Sequence, residues 1–428
     1  MRLELNILET KDVRFGDATR FKDKTLRLNK AELQSILEKD RAFSRVEIEL
    51  ARPGESCRIL QVADVIEPRC KIGEGVYDFP GALGKSGTVG EGKTCVLRGT
   101  AVVLNDQISA EIVTEGEDPM GFIIDMAGPG AEVGLYGKTH NIVLIPYPAS
   151  GVNPDRYRVA IKKAGLKAAT YLAKAGRDLA PNDVEVYDLP SLPGIGRDKK
   201  DLPRIGYIFM VYCTSFPAIE GEPILYGDNM KEFLPTIIHP NEVLDGAIVN
   251  PYEGIGTETY VIQNHPVIKA LYQRHGKELC FVGVILTVSR YTEPERERAA
   301  AMAANQARSI FGADGMILTK ASSGAPDIDM AQTAQRCEDA GVKTVLIMFD
   351  RSNRGELGTV FNLPGASAIV STANQFVSLE LPPVERVIGR PVTLPSGVCS
   401  NHGLQKTFRY IRGALDQEGI TRYRPVRY

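Results

Sequence analysis

Residues 205–212 read Ile-Gly-Tyr-Ile-Phe-Met-Val-Tyr, eight positions without a charge. Such a run cannot present one wet and one dry face, so as a strand it must be buried on both sides, as in a parallel sheet covered by helices. Residues 278–287 (Glu-Leu-Cys-Phe-Val-Gly-Val-Ile-Leu-Thr) form a second run of the same kind. A helical pattern follows over 292–311, with Thr292 placed to cap it and Glu293 and Glu295 in the first turn, where the helix dipole favours acids. Then come a strand over 315–319, a helix over 327–340 stopped by Gly341, a strand over 342–349 and a short strand over 367–371. Alternation of this kind predicts a doubly wound α/β domain. Ligands in such sheets bind at the carboxyl ends of strands, here at 322–329, 350–355 and 371–375. No GxGxxG and no GxxxxGK[ST] follows a strand, so dinucleotides and nucleoside triphosphates are not expected.

The first half has another rhythm. Leu3, Leu5 and Ile7 alternate with Glu4 and Asn6, and Val46, Ile48 and Leu50 with Glu47 and Glu49. Gly/Pro turns such as Arg52-Pro-Gly-Glu55 and Gly128-Pro-Gly130 punctuate further short apolar segments. This pattern predicts a barrel or sandwich-like module, interrupted by a helix over 30–39 capped by Asn29. A longer helix over 154–175 carries an apolar stripe, with Asp155 placed to cap it. Its lysines Lys162, Lys163 and Lys167 suit either an anion or, as is commoner, a solvated face. Residues 189–204 contain three prolines and a charge run without periodicity, the marks of a linker. The expected class is α/β: a β-rich N-terminal domain with a few helices over 1–188, a linker over 189–204, and a doubly wound parallel-sheet domain over 205–428.

A formal charge of -2 on 428 residues gives no electrostatic case for nucleic acid or an anionic membrane. No apolar run approaches the roughly 20 residues of a spanning helix. Met-Arg-Leu-Glu-Leu-Asn at the start lacks the apolar core of a signal peptide, so a cytoplasmic location is expected. The seven cysteines are scattered without a CxxC pair, which predicts reduced, mostly buried thiols rather than a zinc or thioredoxin-like site.

Polar groups with chemical potential concentrate in 236–274, inside the second domain: His239, Glu242, Asp245, Asn250, Tyr252, Glu253, Gln263, Asn264 and His265. His239, Glu242 and Asp245 could form a general acid–base set, and His265 could face the same pocket. The bland alternative is a buried histidine fixing a loop. A metal site from His239, Glu242 and His265 is a weaker possibility, and no metal is expected. Cys213, at a strand end, is the one cysteine placed like a nucleophile. His275 precedes Gly276 and reads as a helix stop.

Several longer stretches resemble the proprotein subunit of the component B reductases, the substrate-specific parts of glycine, sarcosine and betaine reductase, to which the D-proline reductase proprotein is related. They include Ala51-Arg-Pro-Gly-Glu-Ser, Asp64-Val-Ile-Glu-Pro-Arg69, Ile124-Asp-Met-Ala-Gly-Pro-Gly-Ala131 and Lys138-Thr-His-Asn-Ile-Val143. Ala164-Gly-Leu-Lys-Ala168, His239-Pro-Asn-Glu-Val-Leu-Asp-Gly-Ala-Ile-Val249, Gln263-Asn-His-Pro-Val-Ile268, Leu271-Tyr-Gln-Arg-His-Gly-Lys277 and Leu381-Pro-Pro-Val-Glu-Arg-Val-Ile-Gly389 continue the likeness over nearly the whole chain. The resemblance implies a proprotein that cuts itself just after the segment matching Asp245–Val249, at a cysteine that becomes a pyruvoyl group. That carbonyl would form a Schiff base with a substrate amine, and a cysteine or selenocysteine of a second subunit would attack the carbon.

This chain departs at that point. Val249 is followed by Asn250-Pro-Tyr-Glu-Gly-Ile-Gly-Thr-Glu-Thr259, with no cysteine between Cys213 and Cys280. Thr257 and Thr259 could undergo an acyl shift, but neither follows an asparagine. We therefore expect no self-cleavage, no pyruvoyl and no other cofactor. The expected function is an uncut subunit of a component B-type complex, hetero-oligomeric with a thiol- or selenol-bearing partner. It would cleave a C–N or related C–X bond of a small amino-acid-like or heterocyclic substrate. Catalysis would fall to His239, Glu242, Asp245, Tyr252, Glu253 and His265, with Asn250, Gln263, Asn264 and Cys213 at the substrate or interface. The alternatives are an inactive scaffold that completes the partner's site, and an independent hydrolase or lyase using His239, Glu242 and Asp245.

Overall fold

A computed structural model describes residues 1–73, 75–108, 120–194, 201–213, 221–250, 257–290, 292–321, 324–350, 365–394 and 397–420. The charge-free run forms the strand Arg204–Cys213 at the middle of a six-stranded sheet. Parallel to it lie Cys280–Ser289 on one side and Gly315–Thr319, Lys343–Asp350 and Ala368–Asn374 on the other. The short strand Thr236–Ile238 closes the first edge antiparallel. Helices Glu293–Asn305 and Ala325–Asp339 pack on each other and on the sheet. The first is capped as expected, by reciprocal bonds between Thr292 and Glu295, and it relaxes into a π-turn over Gln306–Ile310. The sheet's core continues into helix Pro266–Arg274 and into Leu3, Leu5 and Ile7 of the N-terminal half. The expected α/β fold is therefore present.

The N-terminal half, among the described residues, contains no closed barrel. It holds two four-stranded sheets. One runs Asp183–Asp188, Arg2–Glu9, Gly92–Arg98, Arg69–Ile72; the other runs Phe43–Ala51, His140–Pro148, Thr100–Asn105, Val62–Ile66. Helix Pro154–Lys174 packs against strands of both sheets and shares one apolar core with them, which is why neither sheet needs to close on itself. Gly165 permits the approach, because a Cβ there would lie 2.6–2.8 Å from Leu104 and Ile66. The helix is capped by Asn153, whose Oδ1 accepts from the Asp155 and Arg156 N–H groups, and not by Asp155. Lys162 is also not on a solvated face. It sits on the buried stripe with Leu166 and Ala169, 5% exposed and paired with Glu222 at 2.5 Å.

After the last strand of the large sheet the chain returns to the N-terminal half. Arg386–Ile388 pairs parallel with Cys57–Ile59. Leu381, Leu404 and Ile411 pack with Leu60, Met120 and Ile123 in a separate small core. Six of the seven cysteines are buried, and none is in a disulfide. No helix among the described residues is long and apolar enough to cross a membrane.

Candidate functional site

The segment 236–274 runs from the edge strand through helix Pro240–Leu244, a Gly246 turn in the left-handed region, helix Thr259–Gln263 and helix Pro266–Arg274. Its polar side chains serve separate partners. His239 caps the first helix: its Nδ1 accepts from the Asn241 N–H at 3.2 Å, so Nε2 carries the proton and donates to the Pro190 carbonyl at 3.2 Å. Glu242 completes the cap by accepting from the His239 N–H at 2.8 Å, and it takes the Tyr226 hydroxyl at 2.5 Å. Asp245 receives Lys71 Nζ at 2.5 Å, the Gly90 N–H at 2.7 Å and the Thr94 hydroxyl at 2.7 Å. His239, Glu242 and Asp245 thus do not converge on one point. His265 lies elsewhere, edge-on to Tyr207 and Phe209 in the sheet core, with Nε2 3.2 Å from the Tyr207 hydroxyl.

Gln263 and Asn264 are tied to Glu67. Gln263 Oε1 accepts from the Glu67 N–H at 3.0 Å, and Asn264 donates to Glu67 Oε2 at 3.0 Å. The same carboxylate takes Arg69 at 2.5 Å and Arg98 at 2.7 Å. Burial alone would raise its pKa, but the two guanidinium groups outweigh it and hold the carboxyl below its ordinary value. Arg69 also donates to the Leu244 carbonyl at 2.5 Å, joining this hub to the first helix. His275 caps the helix before it and accepts from the Phe281 N–H at 3.0 Å.

Both histidines make an acid-sensitive contribution. Burial lowers His239 to about 4 and His265 to about 3, from 6.5. Below 6.5 the unfolded chain takes up protons that the folded chain refuses, so this stability is present at neutral pH and lost as pH falls. Asp64 and Asp329, raised by burial to about 6, work in the opposite sense. A difference between variant and parent isolates one group. From pH 7.5 to 5, His265→Phe should gain about 2 kcal/mol of unfolding free energy relative to the parent. Parallel pH profiles in denaturant titrations would contradict this.

What the fold does bring together lies at the two ends of 251–256. Asn250 is fully buried; its N–H donates to the Thr259 hydroxyl at 2.9 Å and its side-chain amide to the Thr257 carbonyl at 3.0 Å. Thr259 in turn gives its N–H and hydroxyl to Asp64, at 2.9 and 2.6 Å. Burial raises Asp64 to about 6 despite those bonds and nearby Lys162, so its carboxyl changes charge near neutrality. Asp64, Asn250, Lys162 and Glu222 line one small cleft. The Thr257 hydroxyl donates to Glu418 at 2.9 Å, and Glu258 pairs with Arg412 at 3.1 Å, both from the returning C-terminal segment. Tyr252 and Glu253 lie outside the described residues. Cys213 is fully buried at the end of its strand. The sequence reading assigned no chemistry to Asp64 or Glu222 and placed Lys162 on the wrong face. A signal for Lys162 was available, since it falls at helical spacing from Leu166 and Ala169. Among the described residues no three His, Cys, Asp or Glu side chains cluster as metal ligands.

A family model described as glycine/sarcosine/betaine reductase component B subunits matches residues 1–403. Glycine reductase complex component B subunits alpha and beta of Acetoanaerobium sticklandii is 37% identical over 394 residues, covering 91% of this chain and 89% of the relative. Sarcosine reductase complex component B subunit alpha of Peptoclostridium acidaminophilum is 36% identical over 396 residues, with 91% and 89% coverage. Betaine reductase complex component B subunit alpha of the same organism is 33% identical over 406 residues, with 91% and 88% coverage. No solved structure matches the chain.

Proposed function

The chain belongs to the family of glycine/sarcosine/betaine reductase component B subunits, components of oxidoreductase complexes, and on that premise we propose that it acts as an uncut subunit of such a complex, without a pyruvoyl group. Its substrate is a small amino-acid-like or heterocyclic molecule whose C–N or related C–X bond is cleaved reductively. A second subunit brings the cysteine or selenocysteine that attacks the carbon.

The observation that carries the uncut reading is the chemistry of 250–259. An acyl shift needs a serine, threonine or cysteine next to the scissile carbonyl, and 251–256 contains none. The two threonines beyond are held by carboxylates: Thr257 by Glu418, and Thr259 by Asp64 while it also accepts from the Asn250 N–H. A threonine that underwent the shift would leave a ketobutyryl group, so those residues do not fit a pyruvoyl group. His239, Glu242, Asp245, Gln263 and Asn264 then serve to position the cleft, which also favours a subunit that builds a shared site over an independent hydrolase.

Mass spectrometry of the purified chain tests this. One species at 46.7 kDa that does not react with a carbonyl reagent is expected. Two fragments split near Asn250, one of them reactive, would overturn it.

A further inference from the structure

The N-terminal half also holds a small three-stranded sheet, in the order Asp12–Phe15, Thr25–Leu28, Arg20–Lys22. Side chains alternate between the two faces of a strand, and residues paired across strands share a face. One row, Val13, Leu26 and Phe21, is buried in the core shared with helix Pro154–Lys174. The next row, on the outer face, is Arg14, Arg27 and Arg20, all exposed. Lys22 stands on the same face, opposite Thr25. Residues 11–30 carry seven basic and three acidic residues in a chain whose formal charge is -2.

Like charges directly opposite each other destabilise a sheet. Elsewhere this chain sets opposite charges across strands: Arg2 faces Asp188 at 3.3 Å, and Glu4 faces Lys93 at 3.9 Å. In the arginine row Arg14 has a carboxylate, that of Asp12, which also serves Arg52 at 3.7 Å. Arg20 and Arg27 have no ion-pair partner among the described residues. Carboxylates laid on the row would turn its repulsion into attraction, because a guanidinium fork takes a carboxylate through two parallel hydrogen bonds. Neighbouring strands lie about 4.8 Å apart, so the row offers a cation about every 5 Å. That spacing matches side chains one turn apart on a helix, about 5–6 Å, better than those on one face of a strand, about 6.7 Å. Three cations fall short of the roughly six to ten phosphate contacts that make nucleic-acid binding strong. Phe15, at the end of its strand beyond Arg14, is 43% exposed, with Lys30 5.3 Å from the ring centre. We propose that this face docks an acidic helix of a partner protein, laid across the three strands. Carboxylates one turn apart meet Arg20 and Arg27, and an apolar residue reaches Phe15. The face is built by 12–28 alone, so the proposal does not depend on cleavage, on the substrate or on the segment 236–274.

Fluorescence anisotropy tests the proposal, with the full-length chain titrated into a labelled helical peptide that carries glutamate at every fourth position on an alanine background. Saturable binding is expected, weakening about tenfold between about 20 and about 200 mM salt. Arg20→Ala should weaken it about tenfold by removing one charged hydrogen-bonding partner. Arg27→Glu should abolish it while the thermal midpoint holds or rises, because the new acid faces Arg14 and Arg20 across the strands. A peptide of the same composition with its glutamates spread round the helix should bind about tenfold more weakly. No saturable binding, equal binding of the rearranged peptide, or binding unchanged in Arg27→Glu would each overturn the proposal. So would tighter binding of pyrophosphate or of a short oligothymidylate in competition, which would assign the row to phosphate.

Discussion

Glu67→Ala is expected to lower the unfolding free energy by about 3–5 kcal/mol, the usual loss when one partner of a buried charge network is removed. The Glu67 side chain is fully buried and accepts from Arg69, Arg98 and Asn264, while its backbone N–H donates to Gln263. Without it Arg69, itself buried, keeps its charge with no carboxylate within reach of the same atoms. Glu67→Gln retains the hydrogen-bond acceptor and should cost less. Because Arg69 and Gln263 anchor helices Pro240–Leu244 and Thr259–Gln263, the Ala variant should also expose the intervening segment to protease under native conditions. A loss of unfolding free energy below about 1 kcal/mol in denaturant titrations would mean that the network is not a structural hub.

The large sheet was legible because its signals are local. An uninterrupted apolar run, a capping box at Thr292 and Glu295 and a glycine stop at Gly341 each act within a few residues, and each reappears in the structure. The N-terminal half was less legible for the same reason. Alternating apolar residues specify strands but not how sheets are covered, and the helix that fills the space between the two sheets lies more than eighty residues after Val62–Ile66, which it touches.

The candidate site shows the limit more sharply. Asp64 and Thr259 are 195 positions apart, as Glu67 and Gln263 are 196 apart. The motif Asp64-Val-Ile-Glu-Pro-Arg69 was conspicuous, yet nothing in its spacing says that one carboxylate serves the cleft and the other ties two helices. The reverse error applies to His239, Glu242 and Asp245. Their clustering in sequence suggested shared chemistry, whereas a helix N-cap, its reciprocal partner and a C-cap fall close together in any short helix.

The second large effect concerns Arg58. Its guanidinium is fully buried and all five of its N–H donors are used. Nε and Nη2 form a fork on Asp125 at 2.7 and 2.9 Å. Nη1 reaches the Ser400 and His402 carbonyls at 2.9 and 3.1 Å, and Nη2 the Pro382 carbonyl at 3.1 Å. A lysine cannot reproduce that planar fork, so Arg58→Lys should lose most of the stability that Arg58→Met loses, about 3–5 kcal/mol. In both variants Asp125 is left buried without its bidentate partner. Pairing Arg58→Met with Asp125→Leu removes that charge and should recover a good part of the loss. The effect should reach the cleft, because the segment anchored by Arg58 continues into Arg412 and Glu418, which hold Glu258 and Thr257. Limited proteolysis of Arg58→Lys should therefore cut first within 382–420. A variant that keeps the parent's midpoint and cleavage pattern would show that the returning segment is held by its apolar contacts alone.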